Sequence, residues 1–179
     1  MKKTLNKGFT LIELLVVVAI IAVLALIVLL ALNPVEMARR SRDSRRLSDL
    51  GTVRKAIDLA LADKQSLAVT TGAVTLNSTS SVTDFAGMGL NISKYLSVVP
   101  QDPMYESGST GNVQVVLPSC SAGSATKGTM IYEFISDGST YVLRARLESL
   151  DNCDAITTDG NNGSNYYETG TDPGLDLFP

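Results

Sequence analysis

Glu13 is the only charged residue in positions 9–32, a run otherwise built from Phe, Thr, Leu, Ile, Val and Ala. A carboxylate set deep in a bilayer costs about 2.5–3.5 kcal/mol, so an acid in such a run implies a partner that neutralises it. The chemistry this suggests is charge pairing, not catalysis. Immediately before the run lies a short basic head carrying Lys2, Lys3 and Lys7, which ends at Gly8-Phe9. A peptidase cutting at that small residue would remove the head, keep the apolar segment and leave a positive amine on Phe9. Glu13 can meet such an amine on a neighbouring copy of the chain. The local alternative is its own amine, because positions four apart share a helix face. A helix N-terminus also favours an acid there.

Other chemistry is poorly supplied. The chain has no histidine, which removes the usual residue for zinc ligation and acid–base work near neutral pH. No phosphate-binding glycine loop is present, and no nucleophile–base arrangement stands out, so an enzyme and a cofactor are not expected. Cys120 and Cys153 are the two cysteines. In an exported domain such a pair points to one disulfide, the alternative being two free thiols. Asp154, Asp159 and Asp172 stand in a stretch rich in Asp, Asn and Gly (residues 151–179). They are weak calcium candidates, and an ordinary polar loop is the expectation there. The net charge of −3 offers no electrostatic footprint for nucleic acid.

The elements that hold these residues follow from pattern. Residues 9–32 reach roughly 36 Å as a helix, enough to cross a bilayer core that needs about 20 residues. The run is longer than the roughly 7–15 residues of a secretory signal's apolar region. An uncleaved signal anchor and a chain trimmed at Gly8 both remain open on these grounds. The positive-inside rule does not decide orientation, since Lys2, Lys3 and Lys7 face Arg39, Arg40, Arg42, Arg45 and Arg46 across the run.

The stretch Lys7-Gly8-Phe9-Thr10-Leu11-Ile12-Glu13-Leu14-Leu15-Val16-Val17 resembles the class III leader of type IV pilins and type II secretion pseudopilins. The resemblance implies cleavage after Gly8 by a prepilin peptidase, N-methylation of Phe9, and Glu13 as the fifth residue of the mature chain. It implies a structural subunit that forms a helical homo-oligomer through its apolar helix. A membrane platform and an assembly ATPase would act in trans. It places the chain in the inner (cytoplasmic) membrane as a single-pass protein with its head outside, extracellular once assembled. Pro100-Gln101-Asp102-Pro103 is similar to a segment of major pseudopilins, and Tyr166-Tyr167-Glu168-Thr169-Gly170 to the closing stretch of some pilin-like proteins with an arginine-rich helix. A type IV pilus subunit is the first expectation. A major pseudopilin, or an uncleaved signal-anchored binding protein, is the alternative.

The expected division is a leader (1–8), a membrane or filament-core helix (9–32), an amphipathic continuation (33–64) and a globular head (65–179). Pro34 lacks an amide hydrogen and predicts a kink or local melting near residues 30–34 of one long helix, the alternative being a helix end there. Leu47, Leu50, Val53, Ile57, Ala60 and Leu61 recur at helical spacing and form one apolar face. Glu36 with Arg39 or Arg40, Arg39 with Asp43, Arg45 with Asp49 and Arg54 with Asp58 fall at pairing distance along the rest. These arginines read as a solvated face, a lipid-headgroup contact or a subunit contact.

In the head, residues 65–89 read as a connecting loop and residues 88–96 as a short helix. Residues 130–135 and 140–148 read as strands around the Asp137-Gly138 turn, and residues 113–117 as a third strand. Alternation puts Tyr141, Leu143, Ala145 and Leu147 inside, and Val142, Arg144, Arg146 and Glu148 on a polar face. The architecture is α+β: a long N-terminal helix packed on a small antiparallel sheet.

Overall fold

Apolar side chains repeating every third or fourth residue make the second helix of this chain the support on which a sheet can be laid. The computed structural model describes residues 8–87, 89–160 and 164–178. Expectations that fall on Met1 to Lys7 or on Met88 lie outside them. Contacts divide the chain into two units, Met1–Ala38 and Arg39–Pro179.

The first unit contains α1 (Leu11–Leu32), whose described side chains are exposed. A second helix, α2, spans Pro34–Ala62. The favoured expectation of one continuous kinked helix gives way to its alternative, a helix end, because Asn33 adopts a left-handed conformation (φ 41°, ψ 70°) and ends α1. Its carbonyl accepts from Glu36 N (3.0 Å) and Met37 N (3.2 Å), and its Oδ1 lies 3.4 Å from Glu36 N. Pro34 then sits at the first position of α2, where no amide hydrogen is needed.

The head is built on α2. Leu50, Val53, Ala56, Ile57 and Ala60 are buried against Tyr132, Phe134, Tyr141, Leu143 and Ala145. Those residues come from a four-stranded antiparallel sheet in the order β1 (Val74–Leu76), β4 (Tyr132–Ser136), β5 (Tyr141–Ala145), β6 (Tyr167–Gly170). A separate hairpin pairs β2 (Asn112–Val116) with β3 (Ala122–Thr126). A short helix, α3 (Cys153–Thr157), follows β5. Phe134 is held edge-on by Phe85 (5.5 Å between ring centres) and stacked on Tyr141 (5.8 Å).

Two phenols pin the sheet to the helix: Tyr132 donates to Asp49 Oδ2 (2.9 Å) and Tyr141 to Asp58 Oδ1 (2.6 Å). The expected pairs Arg45–Asp49 and Arg54–Asp58 are present but longer, at 3.7 and 3.8 Å.

Three further expectations are corrected. Residues 89–96 hold a single turn, not a helix: Tyr95 N and Leu96 N both donate to Ile92 O at 2.9 Å. Asn91 Oδ1 takes Ser93 N (3.0 Å) and Ser93 Oγ (2.6 Å), a side-chain turn that competes with helical bonding. The polar face assigned to 140–148 is not polar throughout, since Val142 and Glu148 are buried. The stretch 151–179, expected as a polar loop, supplies α3, β6 and a segment that covers Val142.

Candidate functional site

The N-terminal segment is positioned by a reciprocal cap. Gly8, Phe9 and Thr10 precede the helix, and Thr10 is its N-cap in extended conformation (φ −84°, ψ 150°). Glu13 Oε2 accepts from Thr10 N (2.9 Å) and Thr10 Oγ1 (2.8 Å), and Thr10 Oγ1 lies 3.3 Å from Glu13 N. Each residue satisfies a backbone donor that the first helical turn leaves open. The carboxylate is thus engaged by Thr10, three residues back. Sequence reading missed Thr10, although Thr-x-x-Glu before an apolar run is the signal for this arrangement. Leu11–Leu29 is long and apolar enough to cross a membrane, and Glu13 is its one acid.

A second constellation lies where α2 meets the head. Arg46 is fully buried. Its Nε donates to Asp102 Oδ2 (2.6 Å), its Nη2 to Asp102 Oδ1 (2.9 Å) and its Nη1 to Asp43 Oδ1 (2.7 Å). Nη2 also reaches Glu148 Oε1 at 2.6 Å. Arg42 meets the same Glu148 through Nη2 (2.5 Å) and Nε (3.0 Å). Asp43 further accepts Glu148 N (2.9 Å), Ser149 N (2.8 Å) and Asn152 Nδ2 (2.9 Å). Burial alone would lower the Arg46 pKa, but the Asp102 bonds and the surrounding carboxylates outweigh it and raise it. Arg46 stays charged.

The expected solvated arginine face is therefore corrected for Arg42 and Arg46, which close an internal ionic lock. Asp43, expected opposite Arg39, turns inward to Arg46. Arg40 pairs with Asp151 at the surface. No local pattern announces Glu148. Asp102 stood out only as part of the Pro100–Pro103 segment, where its Oδ1 also accepts Met104 N (2.7 Å).

Cys120 and Cys153 form a disulfide (Cα–Cα 5.4 Å, 33 residues apart), tying the β2–β3 turn to the start of α3. The calcium candidates do not converge. Asp154 is exposed on α3, while Asp159 and Asp172 border a cleft of about 450 Å³ beside β6. Asp159 Oδ2 accepts Glu168 N (2.9 Å), and Asp172 accepts Thr140 Oγ1 (3.3 Å) and Asp176 N (2.9 Å). Among the described residues, no three Asp, Glu, Cys or His side chains form a metal cage.

Residues 3–29 match the family model described as the prokaryotic N-terminal methylation motif, the class III prepilin leader of type IV pilins and pseudopilins. The match covers Gly8, Phe9, Thr10 and Glu13. The motif and an exposed apolar helix of this length together fit membrane anchoring. No curated protein and no solved structure matches the chain.

Proposed function

We propose that this chain is a structural subunit of a type IV pilus-like filament. It enters the membrane through α1, is cut after Gly8 by a prepilin peptidase, is methylated on the new Phe9 amine, and polymerises through α1. The observation that carries this reading is an apolar helix, exposed along its described length, with one acid at its first turn, lying within the methylation motif. An exposed apolar surface of this extent needs lipid or other copies of itself to cover it.

Trimming gives the helix an amine, and Glu13 answers it on the adjacent copy. An unpaired charge in low dielectric is expensive, so the pair selects the axial register in which neighbours lock. Assembly draws its energy from an ATPase and a membrane platform in trans. The head stays outside the cytoplasmic membrane and becomes extracellular in the filament. The arginine-rich α2 and the Tyr166–Gly170 stretch favour a pilin, while Pro100–Pro103 favours a major pseudopilin as the second reading.

Intact-mass measurement on membrane-extracted material tests this. The expected mass is that of a chain beginning at N-methylated Phe9. Retention of residues 1–8 would instead indicate a signal-anchored protein that never assembles. Recovery of the trimmed chain in sheared surface filaments, and its dependence on Glu13, tests polymerisation separately.

A further inference from the structure

The sheet face turned away from α2 carries Ile135 on β4 and Val142 on β5, paired across the two strands, yet they are 9 % and 0 % exposed. The segment that follows β6 covers them: Leu175 is buried against both, and Leu177 and Phe178 pack beside it. The Phe178 ring lies 3.6 Å from the Arg144 guanidinium carbon, and the Tyr166 ring lies 4.1 Å from that carbon. Two aromatic rings therefore flank one cation, which Glu133 also holds at 2.7 Å, and one of the rings belongs to the covering segment.

Little besides these side chains ties the segment down. At its start, Thr171 N and Asp172 N donate to Tyr141 O (3.0 and 3.4 Å), Tyr141 N donates to Thr171 Oγ1 (3.2 Å), and Thr140 Oγ1 donates to Asp172 Oδ1 (3.3 Å); these bonds fix the hinge end. Beyond Asp172, the hydrogen bonds among the described residues are internal to the segment: Leu175 N to Asp172 O (3.3 Å) and Asp176 N to Asp172 Oδ2 (2.9 Å). The turn onto the sheet runs through Gly174 (φ 99°) and Leu175 (φ 52°). A leucine rarely takes that backbone conformation and keeps it only when its surroundings hold it there. Gly174 and Leu175 also border the cleft of about 450 Å³, so open volume, not packed atoms, lies beside the turn.

We propose that residues 171–178 are an exchangeable strap, and that the outer sheet face is a receptor for it, filled in cis within one chain and open to the same segment of a second copy. The occupant is defined by the sequence already seated on the face, which every copy carries, so exchange recreates each contact between chains. Segments joined through a hinge exchange at low cost. Eight residues span at most about 29 Å when extended, so exchange links only heads that lie side by side. The site belongs to the head, and it stands whether or not the chain polymerises.

The test uses full-length chain in detergent micelles and a fluorescein-labelled synthetic peptide of residues 171–178. A variant stopped after Asp172 is expected to bind the peptide saturably. The intact chain binds roughly tenfold or more weakly, because its own strap competes at a high effective concentration. A peptide carrying Leu175→Asp and Phe178→Ala loses binding. The full-length Leu175→Asp variant unseats the strap without shortening the chain and should gain peptide binding in the same way. A folded variant that ignores the peptide, or an intact chain that binds it as tightly as the shortened one, overturns the proposal. So does loss of folding in both variants, which would make the strap an integral part of the core.

Discussion

Arg46 on α2 grips Asp102 through two parallel hydrogen bonds, 2.6 and 2.9 Å long, across a separation of 56 residues. Both residues are sealed from water, at 0 % and 3 % exposed. Asp43 and Glu148 complete the ring around the same guanidinium. The helix, the segment before the β2–β3 hairpin and the stretch after β5 are thus joined at one cation. Arg46→Ala would leave those carboxylates buried with less compensation, which costs about 3–5 kcal/mol. Arg46→Lys keeps the charge but loses the planar fork, so its cost should be smaller but not zero. Denaturant unfolding of the full chain in detergent, followed by near-UV circular dichroism, checks both the loss and the order.

The same lock makes stability depend on acid. Burial alone would raise the Glu148 pKa, but the Arg42 hydrogen bonds and the nearby Arg46 charge outweigh it and hold the carboxyl below its ordinary 4.5. A depressed folded-state value means that this contribution is complete above the unfolded value. It is lost as pH falls through the folded one. The melting temperature should therefore hold steady from neutral pH to about 5 and fall below about 4.5. Glu148→Gln should be less stable at pH 7 and show a shallower acid decline. An equally steep decline in that variant would assign the acid sensitivity to other carboxylates.

Local patterns explain what could be read from the sequence. Alternation placed Tyr141, Leu143 and Ala145 inside, and all are buried on β5; Leu147, placed inside by the same pattern, is buried just past the strand. Helical spacing picked out Leu50, Val53, Ile57 and Ala60, also buried, and Asp137-Gly138 marked the turn between β4 and β5. The lock was not legible because its partners lie far apart in the chain: Arg42 and Glu148 are separated by 106 residues. Alternation assigned Glu148 to the outer face, but β5 ends at Ala145; past that point the chain leaves the strand, and Glu148 is drawn in by Arg42 and Arg46. The sequence of β3, Ala-Gly-Ser-Ala-Thr, has little strand preference of its own; its pairing with β2 imposes the conformation. Val142 looked like part of a solvent face because nothing in its neighbourhood names Leu175, 33 residues later, whose segment covers it.

Gly170 marks the point where β6 leaves the sheet. It pairs with Val142, and the next two amides cross to Tyr141 O. A side chain there would land on the Tyr141 carbonyl oxygen and within 2.9 Å of Val142 Cα. Both are backbone atoms of a central strand and cannot turn aside. Gly170→Ala should destabilise the head by about 1–3 kcal/mol or more, and it should loosen the strap that begins one residue later. Hydrogen exchange would show faster loss of protection along β6 and at Thr171 and Asp172 than along β1.

Thr10 and Glu13 allow the capping and charge roles of the N-terminus to be separated. Glutamine at the third helical position can complete the same reciprocal cap as glutamate, so Glu13→Gln retains the bond to Thr10 N but removes the charge. Thr10→Val does the reverse: it removes the hydroxyl that bonds Glu13 and leaves the carboxylate intact. The lost cap costs about 1 kcal/mol and should speed amide exchange at Glu13 roughly fivefold. If the carboxylate serves to meet a trimmed amine on the next copy, Glu13→Gln should be cut normally, accumulate in the membrane and stay out of sheared filaments. Thr10→Val should enter them at close to the unmodified level. The opposite ranking would assign the importance of Glu13 to the helix cap, with the register between copies set by the apolar side chains of α1. Equal incorporation of both variants would leave neither the charge nor the cap as a determinant of assembly.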